Sequence, residues 1–212
     1  TAGVLNGQPV VRFTADYFNS LTLPSAGNEF ALVAVVKAVN TGAYHNIVDD
    51  DAGARPMLWI DTAGNYEFSY NSGAVAPRGP GYDVVFAVKR NSGTQFSQLY
   101  LNGPSVTAGS SLNHTIPAST VYDLFNRDGG QAFNGDVAEL MIFSTALTTD
   151  EIKQIGYYLQ TKYALPTSFP PPFAVFSGYQ KSPAVYSVGE AIAPNAPVLA
   201  GGRSQLSCWC SP

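Results

Sequence analysis

The chain has 212 residues, 22.5 kDa, of which 45% are hydrophobic and only 12% charged. That is apolar material enough for a sizeable core and too little charge for a disordered chain. A net charge of −4 without a basic cluster argues against nucleic acid or an anionic membrane surface as the main partner, and no apolar run approaches membrane-spanning length.

Twenty Gly and fifteen Pro, beside twelve Tyr and twelve Phe, predict an all-β protein with many turns: one large β domain plus a smaller appendage. The chain begins Thr1-Ala2-Gly3, without Met or signal peptide, which reads as a mature product or a piece of something longer. Little Lys and abundant Thr, Ser, Asn and Gly lean towards an extracellular life. Both cysteines, Cys208 and Cys210, are C-terminal, so the main domain holds together without disulfides. Their spacing is too tight for an easy internal bridge; free thiols and intermolecular bridging both fit.

In chain order, Gly7–Pro24 reads as two short strands around Val11/Phe13 and Leu21/Leu23. Phe30–Val39 is an almost unbroken apolar strand of the kind buried on both faces. Tyr44–Ala54 reads as a loop holding Asp49, Asp50 and Asp51. Pro56–Tyr70 reads as a hairpin: Met57–Ile60, a turn from Asp61 to Asn65, then Tyr66, Phe68 and Tyr70 along one face. A Gly/Pro loop covers Asn71–Gly81. Val84, Phe86 and Val88 alternate in the next strand, which turns at Arg90–Gly93 and returns as Gln95–Leu101. Ser105–Pro117 reads as a polar loop, Tyr122–Phe125 as a short strand and Asn126–Gly130 as a second polar loop.

The segment Phe133–Leu165 is the most informative. Val137–Phe143 alternates as a largely buried strand, and Ser144–Leu147 turns the chain. Thr148 stands three residues before Glu151, the spacing of a capping box. Asp150 and Glu151 suit a helix N-terminus, and Ile152, Ile155 and Leu159 lay an apolar stripe along a helix that ends at Pro166.

Gly135-Asp136-Val137-Ala138-Glu139, Ala146-Leu147-Thr148 with Glu151, and Tyr158-Leu159 with Lys162-Tyr163 together resemble the closing element of a LamG-like jelly roll of the concanavalin A-like lectin/glucanase superfamily. Asn6-Gly7-Gln8-Pro9 followed by Val11-Arg12-Phe13 and Leu21-Thr22-Leu23, and the Tyr100-Leu101-Asn102-Gly103 hairpin, are similar to further landmarks of that family. The resemblance spans about residues 6–165. It implies a two-sheet antiparallel jelly-roll sandwich with one short helix, non-catalytic and extracellular, as a module of a larger bacterial or phage surface protein.

Pro166–Pro172 carries four prolines, and residues 166–185 read as an extended linker. Residues 186–212 are similar to the opening of immunoglobulin-like repeats of bacterial surface proteins, but too short for an independent sandwich. This tail is expected to pack on the jelly roll or to contribute strands to a neighbouring chain, a second copy of itself included.

Site chemistry follows from residue types. Asp49-Asp50-Asp51 is the best candidate for a hard cation such as Ca2+, although the strict DxDxDG spacing is absent; a solvated acidic turn is the alternative. Sugar binding needs aromatic faces for stacking and polar side chains for the hydroxyls. Trp59, Tyr66 and Tyr70 with Arg78 offer one such set, Trp59 first, and Asn126, Arg127 and Asp128 another. Core packing is the competing role for the aromatics, and a plain Gly-rich connection for the loop.

A catalytic pair of carboxylates is not seen: Glu139 has Met141 where the superfamily's glucanases carry a second acid, so a structural hydrogen-bonding role suits it. His45 and His114 lie in separate loops and form no metal-binding or triad pattern. Asn113-His114-Thr115 has the form of a glycosylation sequon. The first functional reading is therefore a recognition or adhesion module for a glycan or a protein partner. The second is a structural subunit of a surface appendage or virion assembled through its tail, and a hydrolase comes third.

Overall fold

The computed structural model describes residues 2–22, 29–39, 41–50, 55–68, 73–111, 121–126, 130–171, 175–179 and 197–200. The first of its two units, Thr1–Phe169, contains β1 (Ala2–Leu5), β2 (Gln8–Thr14), β3 (Phe18–Thr22), β4 (Phe30–Ala38), β5 (His45–Asp50), β6 (Arg55–Ile60), β7 (Asn65–Phe68), β8 (Ala74–Pro77), β9 (Asp83–Lys89), β10 (Ser97–Leu101), β11 (Val106–Ser110), β12 (Val121–Leu124), β13 (Asn134–Phe143) and α1 (Thr149–Tyr163). Among the described residues all strand pairings are antiparallel. One sheet has seven strands in the order β1-β2-β13-β4-β9-β10-β11, the other six in the order β3-β12-β5-β6-β7-β8. This is the expected jelly-roll sandwich.

Two cores share the larger sheet. On its inner face Phe30, Leu32, Ala34, Val36, Val85 and Ala87 meet Leu58, Ile60, Tyr66 and Phe68 of the smaller sheet. On its outer face Ala31, Val33, Val35, Val84, Phe86 and Val88 receive Ile152, Leu159 and Tyr163 of α1. Strands β4 and β9 are thus covered on both sides, which is why they read as unbroken apolar runs rather than alternating ones. Full burial of a Leu or Ile side chain stabilises by ~1.5–3 kcal/mol, so docking of α1 is a substantial part of the fold's stability.

The helix forms as its sequence demands. Thr148 Oγ1 accepts from the Glu151 N–H at 3.3 Å and the Glu151 carboxylate accepts from the Thr148 N–H at 2.7 Å, a complete capping box. The bond from the Thr148 N–H, and after it the one from the Thr148 hydroxyl, hold the Glu151 pKa below the ordinary carboxylate value. The helix stops at Ala164, in the left-handed region with φ 50°, one residue before the chain reaches Leu165 and Pro166. Glu139 has the structural role expected of it: its Oε2 accepts from Lys162 Nζ at 2.7 Å and from the Tyr163 hydroxyl at 2.6 Å, tying β13 to the end of α1. Asp136 is gripped by Arg12 through Nε at 2.6 Å and Nη2 at 2.9 Å and accepts from the Tyr82 hydroxyl at 3.1 Å. The hydrogen bond from Arg12 is the main reason its pKa lies below the usual value, and burial together with Asp136 pushes Tyr82 up to about 12.

Five expectations are corrected. Tyr44–Ala54 is not all loop, because His45–Asp50 is β5, paired with both β6 and β12. Ala74–Pro77 and Val106–Ser110 are edge strands β8 and β11 inside stretches read as loops. A strand precedes the first one expected: β1 folds back on β2 through Asn6 and Gly7, with φ 49° and 75°, the left-handed pair that a two-residue hairpin turn requires. The stretch after Pro166 does not leave the domain at once. Phe169 is buried against Phe86, and its N–H donates to Gln160 Oε1 at 3.0 Å.

The second unit, Pro170–Pro212, contains β14 (Val175–Tyr179) and β15 (Pro197–Ala200), paired as a two-stranded antiparallel sheet. Most of the segment read as an immunoglobulin-like repeat, with Cys208 and Cys210, lies outside the described residues.

Candidate functional site

The β6–β7 hairpin is set by Asp61. Its carboxylate accepts from the Asn65 N–H at 2.8 Å and from Asn65 Nδ2 at 3.0 Å, and Gly64 takes φ 88° to close the turn. The register that follows places Ile60 opposite Tyr66, Trp59 opposite Glu67 and Leu58 opposite Phe68. Directly opposed residues in an antiparallel pair share a face. Leu58, Ile60, Tyr66 and Phe68 therefore point into the core, and Trp59 and Glu67 point away from it.

Trp59 is nevertheless only 8% exposed. Tyr44, the residue before β5, stacks on it with ring centroids 5.1 Å apart and planes within 18°, while itself remaining 41% exposed. The outermost ring of this aromatic pair is thus Tyr44, which is absent from the candidates drawn from sequence. Its place follows only from the pairing of β5 with β6: Tyr44 has the parity of Asn46, and Asn46 is the residue opposed to Trp59.

Around the stacked pair lie polar groups without partners. The Trp59 indole N–H, Asn46 Oδ1 and both amide atoms of Asn126 are buried and make no hydrogen bond among the described residues. Asn46 is held by its N–H to the Gln131 carbonyl at 3.0 Å and by Nδ2 to Gln131 Oε1 at 3.3 Å. Asn126 follows Phe125, whose N–H donates to the Ile47 carbonyl at 3.0 Å, so its backbone lies beside the start of β5. His45 is fixed between Thr41 Oγ1 and the Ala132 carbonyl, both at 2.7 Å. An unpaired buried polar group costs about 1–3 kcal/mol, so these atoms mark a region with hydrogen-bonding capacity to spare.

Of the residues singled out from sequence, Trp59 belongs to this region, while Asn126 follows β12 with its backbone beside the start of β5. Tyr66 is fully buried, and its hydroxyl donates to Asp83 at 3.1 Å, which places it in the core. Arg78 braces the hairpin, with Nε on the Gly64 carbonyl at 3.4 Å and Nη1 on the Ala38 carbonyl. Asp49 is buried on β5 opposite Asp123, and Asp50 is the last residue of the strand rather than part of a loop. Tyr70, Arg127, Asp128 and Asp51, like His114 and Asn113, lie outside the described residues. Among the described residues no group of three or more His, Cys, Asp or Glu is placed to hold a metal. The pKa of Glu67 is raised, by burial first and the Asp61 charge second, with a backbone hydrogen bond from Gly73 acting the other way.

A family model described as the concanavalin A-like lectin/glucanases superfamily matches residues 15–153. Among solved structures, Trypanosoma rangeli sialidase is similar with TM-score 0.50 and 17% identity, over 76% of this chain and 30% of that one. A mutant of that sialidase displaying trans-sialidase activity gives 0.51 and 14%, over 76% and 29%. The CBM40 of Ruminococcus gnavus IT-sialidase, bound to α2,3-sialyllactose, gives 0.49 and 16%, over 67% of this chain and 93% of that one. The chain thus spans less than a third of the sialidases, and at these identities the likeness is one of fold. No curated protein is matched.

Proposed function

The chain belongs to the concanavalin A-like lectin/glucanase superfamily, and from that premise we propose that it is a non-catalytic glycan-binding module acting outside the cell, on a cell or virion surface. The observation that supports this most is the Tyr44–Trp59 stack, an aromatic platform on the outer face of the six-stranded sheet with unpartnered hydrogen-bonding groups beside it. Sugar rings present apolar C–H faces to such rings and hydroxyls to neutral amides, and binding sites combine those two elements.

The test is a glycan array on the full chain, run with calcium and with chelator. Specific signal is expected from the wild type and loss of at least about tenfold from Tyr44→Ala and Trp59→Ala; the energy of one aromatic contact sets that scale. Tyr44 is exposed, so its variant keeps the fold and separates binding from stability. Wild-type signal that survives both substitutions would move the site elsewhere. Signal lost with chelator would bring the Asp49–Asp51 stretch into the site.

A second reading, a structural subunit of a surface appendage or virion, draws on the C-terminal unit. Among the described residues its β14–β15 sheet has two strands, and such a sheet is marginal in water without a covering surface. Deleting residues 170–212 is then expected to lower the oligomeric state by sedimentation. An unchanged assembly with an unchanged melting temperature would rule this reading out.

A further inference from the structure

The face that carries Tyr44 and Trp59 also restricts the charge of what can bind there. Trp59 stands opposite Asn46 on β5 and opposite Glu67 on β7, and Glu67 stands opposite Val75 on β8. Opposed side chains on one face have Cβ atoms about 4.5–5.5 Å apart, so Asn46, Trp59 and Glu67 form one continuous row. Two more carboxylates, Asp123 and Asp49, oppose each other across β12 and β5. Asp123 alternates with the core residues Tyr122 and Leu124, which puts it and its opposed partner on this same outer face.

The row offers a donor at the Trp59 indole N–H, an acceptor at Asn46 Oδ1 and an acidic acceptor at Glu67. A hydroxyl both donates and accepts, so it is compatible with each of the three. A carboxylate or sulfate only accepts. It would meet Asn46 Oδ1 with lone pair against lone pair, and Glu67 with charge against charge.

Resting on the glycan-binding reading, we propose that this face selects uncharged, hydroxyl-rich saccharides over their sialylated, uronate-bearing or sulfated counterparts, with Glu67 as the residue that determines the preference. Asn46 and Trp59 supply the paired acceptor and donor, and the Tyr44 ring supplies the stacking surface. Repulsion between unit charges about 4 Å apart in bulk water corresponds to a preference of roughly fivefold, which sets the scale expected here.

The experiment is an array of matched glycans at pH 7.5, each core printed with and without a terminal sialic acid, uronate or sulfate, probed with the full chain. Wild type is expected to favour the uncharged member of each pair by roughly fivefold, and Glu67→Gln to narrow that gap while keeping the uncharged signal. Charged members bound as well or better, with binding lost in Trp59→Ala, would overturn the proposed selectivity and leave glycan binding at this face standing. A blank array from a folded chain would overturn both. An unchanged preference in Glu67→Gln would remove Glu67 from the role given to it.

Discussion

Gly135→Ala is expected to cost about 3–5 kcal/mol, the sum of backbone strain and overpacking. Gly135 lies in β13 with φ 149°, a conformation that L side chains rarely adopt. A Cβ there would stand 2.3 Å from the Lys37 carbonyl oxygen and 2.9 Å from Ala38 Cα. Both are backbone atoms of β4, the strand covered on two faces, so no flexible side chain can move aside. The residues on either side raise the stakes. Asn134 carries the carbonyl that accepts from Val39 N–H at 2.9 Å, and Asp136 carries the clasp with Arg12. A domain of this size has ~5–15 kcal/mol in hand, so the variant is expected to lose a large fraction of its stability. Urea denaturation measures this, with Gly81→Ala as control, since Gly81 has open space around the added carbon. A loss under ~1 kcal/mol at Gly135 would mean that β4 and β13 part locally without penalty, contrary to the packing described.

Asp83→Ala is expected to cost about as much, ~3–5 kcal/mol, for a different reason. Asp83 opens β9 and is 1% exposed. Its carboxylate accepts from the Tyr66 hydroxyl at 3.1 Å, the Gly79 N–H at 2.9 Å and Asn102 Nδ2 at 2.7 Å. Three separate pieces of chain meet there: β7, the β8–β9 connection and the turn after β10. Asn102, at φ 55°, also accepts the Val84 N–H on Oδ1 at 2.8 Å, so its amide is oriented by two partners. Removal of the carboxylate leaves the buried Tyr66 hydroxyl without its acceptor, at a desolvation cost of about 1–3 kcal/mol, and takes the same acceptor from the half-buried Gly79 N–H and Asn102 amide. The Tyr66 hydroxyl is firmly a donor, because burial first and the Asp83 charge second push its pKa well above the ordinary value. A double-mutant cycle checks the arrangement: Tyr66→Phe is expected to be costly alone and nearly free beside Asp83→Ala. Independent, additive costs would show that the hydroxyl and the carboxylate are not coupled.

Parts of this molecule are readable residue by residue. The capping box of α1, its apolar stripe and the apolar runs of β4 and β9 announce themselves, because each depends on neighbours within one or two turns or on burial so complete that no alternation survives. The hairpin at Asp61 is likewise legible from turn chemistry. Strand β5 is not. Its Asp49 and Asp50 look like loop residues, and two bulges between Asn46 and Asp49 blur the period of two. What makes it a strand is pairing with β12, more than seventy residues away, and no local signal encodes that.

The candidate site divides in the same way. Sequence by itself determined the fold class, the family resemblance and Trp59 and Asn126 as residues of interest. It left Trp59 and Tyr66 in one candidate set, since alternation along a strand does not say how two strands are registered. Only the tertiary structure decided which face is the core, and so sent Tyr66 to Asp83 and left Trp59 beneath Tyr44. It alone brought Asn46 and Glu67 to either side of Trp59. The physical reason is that a strand's period fixes only the relation between its own side chains. Which side meets water is set by the sheet that packs against it, through contacts between residues far apart in the chain.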